Sequence, residues 1–179
     1  MSSVSHYPTA PAAQRAETHT LSVLVDNEPG VLARVVSLFS ARGYNIESLT
    51  VAETDTAAHS SRITIVTSGT EQIIDQIKAQ LERLVSVRKV VDVSREPKSV
   101  QRELALIKVK GAGDKRVEAL RVSEIFRAKV IDTTTESFIF EITGASEKID
   151  AIIELMRPLG LVEVSRTGVL SIRRGGEGE

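Results

Sequence analysis

The strongest constraint on this chain is a change of apolar period that occurs in the same order twice. Leu21, Val23 and Val25 alternate at period two, the mark of a half-buried strand. From Pro29 to Arg42 the period lengthens: Leu32, Val35, Val36 and Phe39 fall at i, i+3, i+4 and i+7, with Arg34, Ser37, Ser40 and Arg42 on the other side. Gly43 supplies a left-handed stop. Two strand-like segments follow, about Asn45 to Glu53 and Ser61 to Thr67, with the polar run "TDTAAH" between them as a hairpin loop. A second helical stripe of Ile73, Ile74, Ile77, Leu81 and Leu84 leads into the strand "VRKVVDVS". The order is βαββαβ. "REPKS" then interrupts with proline and charge, and the order restarts. "ELALIKV" reads as a strand, "GDKRVEALRVSEIFRA" as a helix, and "KVIDTTTESFIFEIT" as two strands meeting near Thr134 to Glu136. "SEKIDAIIELMRPLG" is a helix ended by Pro158 and Gly160, and "LVEVSRTGVLSI" the last strand material. A split βαβ order places both helices on one face of an antiparallel sheet, so the expected class is α+β, two tandem ferredoxin-like domains. The expected divisions are a disordered leader at 1–17, domains at 18–95 and 102–174, a linker at 96–101 and a frayed tail at 175–179. Each half, about 75 residues long, buries too little surface to be robust alone, so pairing of halves or of chains is expected.

Charge and composition remove several functional classes. Lys+Arg (23) and Asp+Glu (24) are balanced and interspersed, so the basic excess that drives phosphate-backbone binding is missing and nucleic acid is not an expected partner. Cysteine is absent, which excludes disulfides, thiolate metal sites and a cysteine nucleophile, and fits a reducing, cytoplasmic setting. No apolar run is long enough to span a bilayer, so no membrane association is expected. The leader "MSSVSHYPTAPAAQRAET" lacks the continuous apolar core of a secretory signal.

An enzyme is disfavoured by the same residues. His6 lies in the leader, His19 at the entry to the first strand and His59 at a hairpin loop; none stands beside an obvious catalytic nucleophile or in a metal-ligand spacing, and each reads as a surface histidine. Asp26 and Glu28 are too ordinary as loop carboxylates to imply acid–base chemistry. Phe138 and Phe140 stand at i, i+2 on a strand, as in the base-stacking platforms of RNA-recognition domains, but the basic and glycine residues of such motifs are missing around "ESFIFEIT". Core packing is the better account of both rings.

The segment "DNEPGVL" carries the remaining signal. Its plain reading is a helix start, with Asp26 or Asn27 near the N-cap and Pro29 at the first helical position. Gly30 is not explained by that reading, because glycine is a poor helix former. A glycine there lets another molecule approach free amides at the positive end of the helix, where a carboxylate binds well. Asn27, with both donor and acceptor on its amide, can orient an ammonium. Such a site selects a free amino acid.

With these residues in view, "LSVLVDNEPGVLARVVSLFSARGYNIESLTV" resembles the opening of an ACT domain. The chain is similar, more closely, to the regulatory small subunits of acetolactate synthase (acetohydroxyacid synthase). The likeness continues through "SRITIVTSG", "QLERLVSVRKVVDV", "RELALIKVK", "EIFRAKVIDTTTES" and "EVSRTGVLSI", covering about residues 18–174. The resemblance implies a non-catalytic subunit that activates a larger catalytic subunit and carries feedback inhibition by valine in branched-chain amino acid biosynthesis. That partner, not this chain, would hold thiamine diphosphate, Mg2+ and FAD. It implies a valine site on Asn27, Glu28, Pro29, Gly30, Val31 and Leu32 of one protomer, closed by Asn45 and Ile46 of the facing protomer in an ACT-mediated homodimer. The second half departs from this design, having "KGAGDKRVEAL" where the first has "DNEPGVL", and no ligand residues are assigned to it. The alternative is a free-standing ACT-domain sensor governing transcription, which would need a DNA-reading element that the sequence does not display.

Overall fold

The computed structural model describes residues 16–55, 57–96 and 99–176, so the expected leader falls almost wholly outside the described residues. The first half runs β1 (Glu17–Asp26), α1 (Val31–Arg42), β2 (Ser48–Asp55), β3 (Ser60–Gly69), α2 (Glu71–Leu81) and β4 (Val87–Asp92). The second runs β5 (Ser99–Lys110), α3 (Asp114–Ile125), β6 (Lys129–Thr133), β7 (Ser137–Gly144), α4 (Ser146–Gly160), β8 (Leu161–Arg166) and β9 (Leu170–Arg173). The sheet orders are β2-β3-β1-β4 and β6-β7-β5-β8, so both halves have the same antiparallel split-βαβ topology.

Period sets the core in each half. Leu21, Val23 and Val25 of β1 and Ile63 and Ile65 of β3 are fully buried beneath Val35 and Phe39 of α1 and Ile74, Ile77 and Leu81 of α2. Register delivers them to one face, since Val23 stands opposite both Ile63 and Val90. The second core is equivalent: Ala105, Ile107, Phe140 and Ile142 lie under Ile149, Ile152 and Met156. Phe138 and Phe140 belong to this core, with ring centroids 5.5 Å apart, and form no exposed stacking platform. The α1 stop is as expected. Gly43 takes φ +68° and ψ +22°, its amide reaches Ser40 O at 3.2 Å, and Tyr44 donates to Phe39 O at 3.0 Å while its ring meets Phe39 edge-on.

Several expectations are corrected. Helix α1 begins at Val31, not Pro29, because Gly30 occupies the N-cap with φ +84°. Residues 45–47 precede β2 instead of forming its start. Residues 99–101 of the expected linker are strand: Ser99 to Arg102 pair with Arg173 to Leu170 of β9, and β5 then enters the second sheet from Glu103 onward. Pro158 does not end α4. It sits in the last turn, where little helix remains to lose a hydrogen bond, and the helix closes after Gly160 (φ +105°) by the Leu161 amide donating to Met156 O. The last strand material is divided into β8 and β9 by a break at Thr167–Val169.

The largest correction concerns β1, which is not half-buried. Thr20 and Ser22, on the face away from the helices, are 5% and 1% exposed. The β5–β9 ribbon covers that face. Thr20 Oγ1 donates to Gln101 Oε1 (3.5 Å), Thr50 Oγ1 to Thr167 O (3.2 Å), and the Val169 amide to Ser48 Oγ (3.4 Å). Gly168, with φ +82°, allows this approach: a Cβ there would stand 2.5 Å from Ser48 Oγ and 2.7 Å from Thr50 Oγ1. His19 is buried as well, not on the surface, with Nδ1 2.8 Å from Asp92 Oδ2, tying β1 to the end of β4.

Candidate functional site

At the C-terminal end of β1 the chain leaves the sheet through Asp26 and turns at Pro29–Gly30 into α1. Two loops and strand β4 hold this turn. The Asp26 amide donates to Ser86 O (2.8 Å) and the Asn27 amide to His59 O (2.7 Å). Arg88 Nε donates to Asp26 Oδ1 at 2.5 Å, and Arg88 Nη2 reaches Ala58 O at 3.2 Å. The backbone of the segment is therefore fixed while Asn27, Glu28, Pro29 and Gly30 stay exposed.

Gly30 has two physical roles. Its φ of +84° is a conformation that other residues adopt only at a cost, so the turn itself requires glycine. An added Cβ would meet nothing within 4 Å, so the space beside it is open. No side chain caps α1 and no acidic residue lies in its first turn. Glu28, the obvious candidate, is held aside by Ser86 Oγ (3.2 Å) and lies 3.8 Å from Arg34 Nη2. Val31 donates to Glu28 O at 3.3 Å and Arg34 to Gly30 O at 3.0 Å. The Leu32 and Ala33 amides between them have, by position, no intrahelical acceptor and carry the positive end of the helix dipole.

The expected site residues divide into groups. Asn27, Glu28, Pro29, Gly30 and Leu32 come together on the surface around the helix start, with Leu32 38% exposed. Val31 differs: its side chain is 8% exposed within the first core, so it anchors the helix start and does not face a ligand. Asn45 and Ile46 lie past the opposite end of α1, about 18 Å away along a 12-residue helix. The Asn45 carbonyl accepts from Thr67 Oγ1 at 2.6 Å, and Ile46 packs against the core. A single chain thus does not bring the two groups together. Sequence reading missed the bracing residues Ser86, Arg88 and His59. Only the complementary charges of Asp26 and Arg88 were there to be noticed, and 62 positions separate them.

Elsewhere one electrostatic cluster joins β5, β8 and α4. Arg166 pairs with buried Glu103 and, at 2.6 Å, with Asp150. The hydrogen bond to Glu103 raises the Arg166 guanidinium pKa above its ordinary value. On the open face of the second sheet the hydrogen bond from Lys108 to Glu163 (2.9 Å) lowers the carboxyl pKa of that exposed residue. Among the described residues no cluster of His, Asp or Glu could hold a metal ion, and no helix is long and apolar enough to cross a membrane.

A split-βαβ sheet whose first helix starts uncapped at an exposed turn is the arrangement of an ACT domain, and residues 21–89 match the family described as the AHAS small subunit-like ACT domain. Residues 102–175 match the small subunit of acetolactate synthase. The acetolactate synthase small subunit of Mycolicibacterium smegmatis is 48% identical over 161 residues, covering 90% of this chain and 94% of that one. The probable acetolactate synthase small subunit of Archaeoglobus fulgidus is 46% identical, covering 88% and 97%. The crystal structure of the acetolactate synthase small subunit from Thermotoga maritima superposes with a TM-score of 0.80 at 42% identity, covering 90% and 99%. The chain belongs to the acetolactate synthase small-subunit family.

Proposed function

We propose that this chain is a non-catalytic regulatory subunit of acetolactate synthase. It binds a larger catalytic subunit that carries thiamine diphosphate, Mg2+ and FAD, raises that subunit's activity, and transmits feedback inhibition by valine in branched-chain amino acid biosynthesis. The observation that carries the effector reading is the uncapped start of α1, with Glu28 held to one side and the Leu32 and Ala33 amides, by position, without an intrahelical acceptor. A valine carboxylate accepts from these amides and is favoured by the helix dipole. The Asn27 side-chain oxygen orients the ammonium, and Leu32 offers an apolar wall. Asn45 and Ile46, a helix length away in the same chain, complete the site from a second protomer, so the ACT domain acts as a homodimer.

Inhibition then requires valine to bind the inhibited state of the assembly more tightly than the active one, by about 1–3 kcal/mol of coupling. The test is reconstitution. The purified chain is used to capture its partner from a cell lysate, and acetolactate formation is measured with and without millimolar valine. Recovery of a flavin- and thiamine-diphosphate-containing subunit, activated by this chain and inhibited by valine only in its presence, is the expected result. Capture of no such subunit, or activity indifferent to the chain, overturns the proposal.

A further inference from the structure

Two carboxylates stand just before α1 in sequence, Asp26 and Glu28, and neither caps it. Asp26 Oδ1 is engaged by Arg88 Nε and Nη2, both at 2.5 Å. Glu28 Oε2 accepts from Ser86 Oγ at 3.2 Å and lies 3.8 Å from Arg34 Nη2. Both withdrawing residues sit at the entry to β4, which begins at Val87. Without them a carboxylate would be drawn to the helix start, since a negative charge there satisfies free amides and complements the dipole. Glu28 is well placed for that role. Its carbonyl is 3.3 Å from the Val31 amide, so its side chain starts within one helical turn of the Leu32 and Ala33 amides.

We propose that Ser86 is a positioning residue: its hydroxyl holds the Glu28 carboxylate off the start of α1 and so keeps the Leu32 and Ala33 amides open to the carboxylate of a ligand. The proposal rests on the effector reading of this helix start and adds that the chain carries its own competitor for it. Ser86 is the firmer of the two restraints on Glu28. It is 3% exposed, and its carbonyl is fixed by the Asp26 amide at 2.8 Å, so the hydroxyl is directed and a buried hydroxyl keeps its partner. The Arg34 contact is longer and joins side chains 49% and 57% exposed, where an ion pair contributes little. Removal of the Ser86 hydroxyl therefore frees Glu28 to occupy the same N–H donors and to repel an incoming anion.

The test uses the full chain as Ser86→Ala, Glu28→Gln and the double variant, with thermal melts to establish that each is folded. Amide hydrogen exchange is followed by NMR without ligand, and valine affinity by calorimetry. In Ser86→Ala, exchange at Leu32 or Ala33 slows by about fivefold and valine affinity falls by about fivefold, the scale of one helix cap. In the double variant both effects vanish relative to Glu28→Gln alone. A merely structural role for Ser86 gives the opposite pattern: exchange speeds up, and the loss of affinity persists in the double variant. Unchanged or faster exchange in Ser86→Ala overturns the proposal, as does a double variant that falls as far below Glu28→Gln as Ser86→Ala falls below the parent. The exchange measurement needs no valine, so it decides the position of Glu28 even if Gly30→Asp binds valine as well as the parent, the result that overturns the effector reading.

Discussion

Gly30→Asp separates the conformational role of Gly30 from the role in ligand access proposed for it. Because Gly30 has φ +84°, the substitution does not place Asp in an ordinary first helical turn. It carries a left-handed penalty of about 1 kcal/mol, at the low end of the usual range because Asp tolerates that region better than most residues. No atom lies within 4 Å of the new Cβ, so a steric cost is not added. The carboxylate at a helix N-terminus returns about 0.3–1 kcal/mol. The net loss is therefore under about 1 kcal/mol, a fall in melting temperature of less than about 4 °C for a chain of this size. Valine binding changes far more. The new carboxylate takes the amides meant for the ligand and repels its anion; losing charge-assisted hydrogen bonds worth about 3 kcal/mol weakens binding on the order of a hundredfold. Calorimetry measures the affinity, and reconstituted acetolactate formation with millimolar valine measures the consequence: activation retained, inhibition lost. Gly30→Ala is the control, with at least as much backbone strain and no charge. If Gly30→Asp stays as valine-sensitive as the parent, the start of α1 is not the effector site. A melting point depressed by tens of degrees would refute the open space assigned around Gly30.

Three further outcomes are expected. Sedimentation at micromolar concentration shows at least a dimer, and a strict monomer that binds valine contradicts a site divided between protomers. Valinamide, which lacks the carboxylate, binds far more weakly than valine by calorimetry; equal affinities would remove the helix start from the mechanism. Lys108→Met raises the Glu163 carboxyl pKa, followed by NMR titration, because its depression comes first from the Lys108 hydrogen bond. A group depressed in this way favours the fold above its unfolded-state pKa and loses that contribution as pH falls through the folded value, so only the acid limb of stability should respond, and an unmoved Glu163 titration would contradict the assignment.

What the sequence disclosed follows the range over which each signal acts. Local patterns were legible: Ile74, Ile77 and Leu81 line one helix face, Gly43 stops α1 in the left-handed region, and the break near Thr134–Glu136 divides β6 from β7. Gly30 was legible as an anomaly but not as a conformation, since only the backbone reveals that φ is positive. Thr20, Ser22 and His19 were misread because a small polar residue on a strand looks solvent-facing. Their cover is remote in sequence: Gln101 lies 81 residues from Thr20, and Asp92 lies 73 from His19. In the candidate site, the composition of residues 27–32 pointed to ligand chemistry, but the burial of Val31 and the helix length separating Asn45 from Gly30 are tertiary facts.

The seam between ACT sheet and ribbon has an unusual makeup for a contact inside one chain. Thr20, Ser22, Thr64 and Ser171 are nearly inaccessible there, with Gln101 bridging to Thr20, and Val66 and Val169 add only a small aliphatic share. Parting such surfaces wets hydroxyls that water solvates readily, whereas parting a hydrocarbon core would cost roughly 25 cal/mol for each Å² exposed. The seam is therefore held by polar contacts more than by buried hydrocarbon, and wetting it costs less per unit area than opening either core.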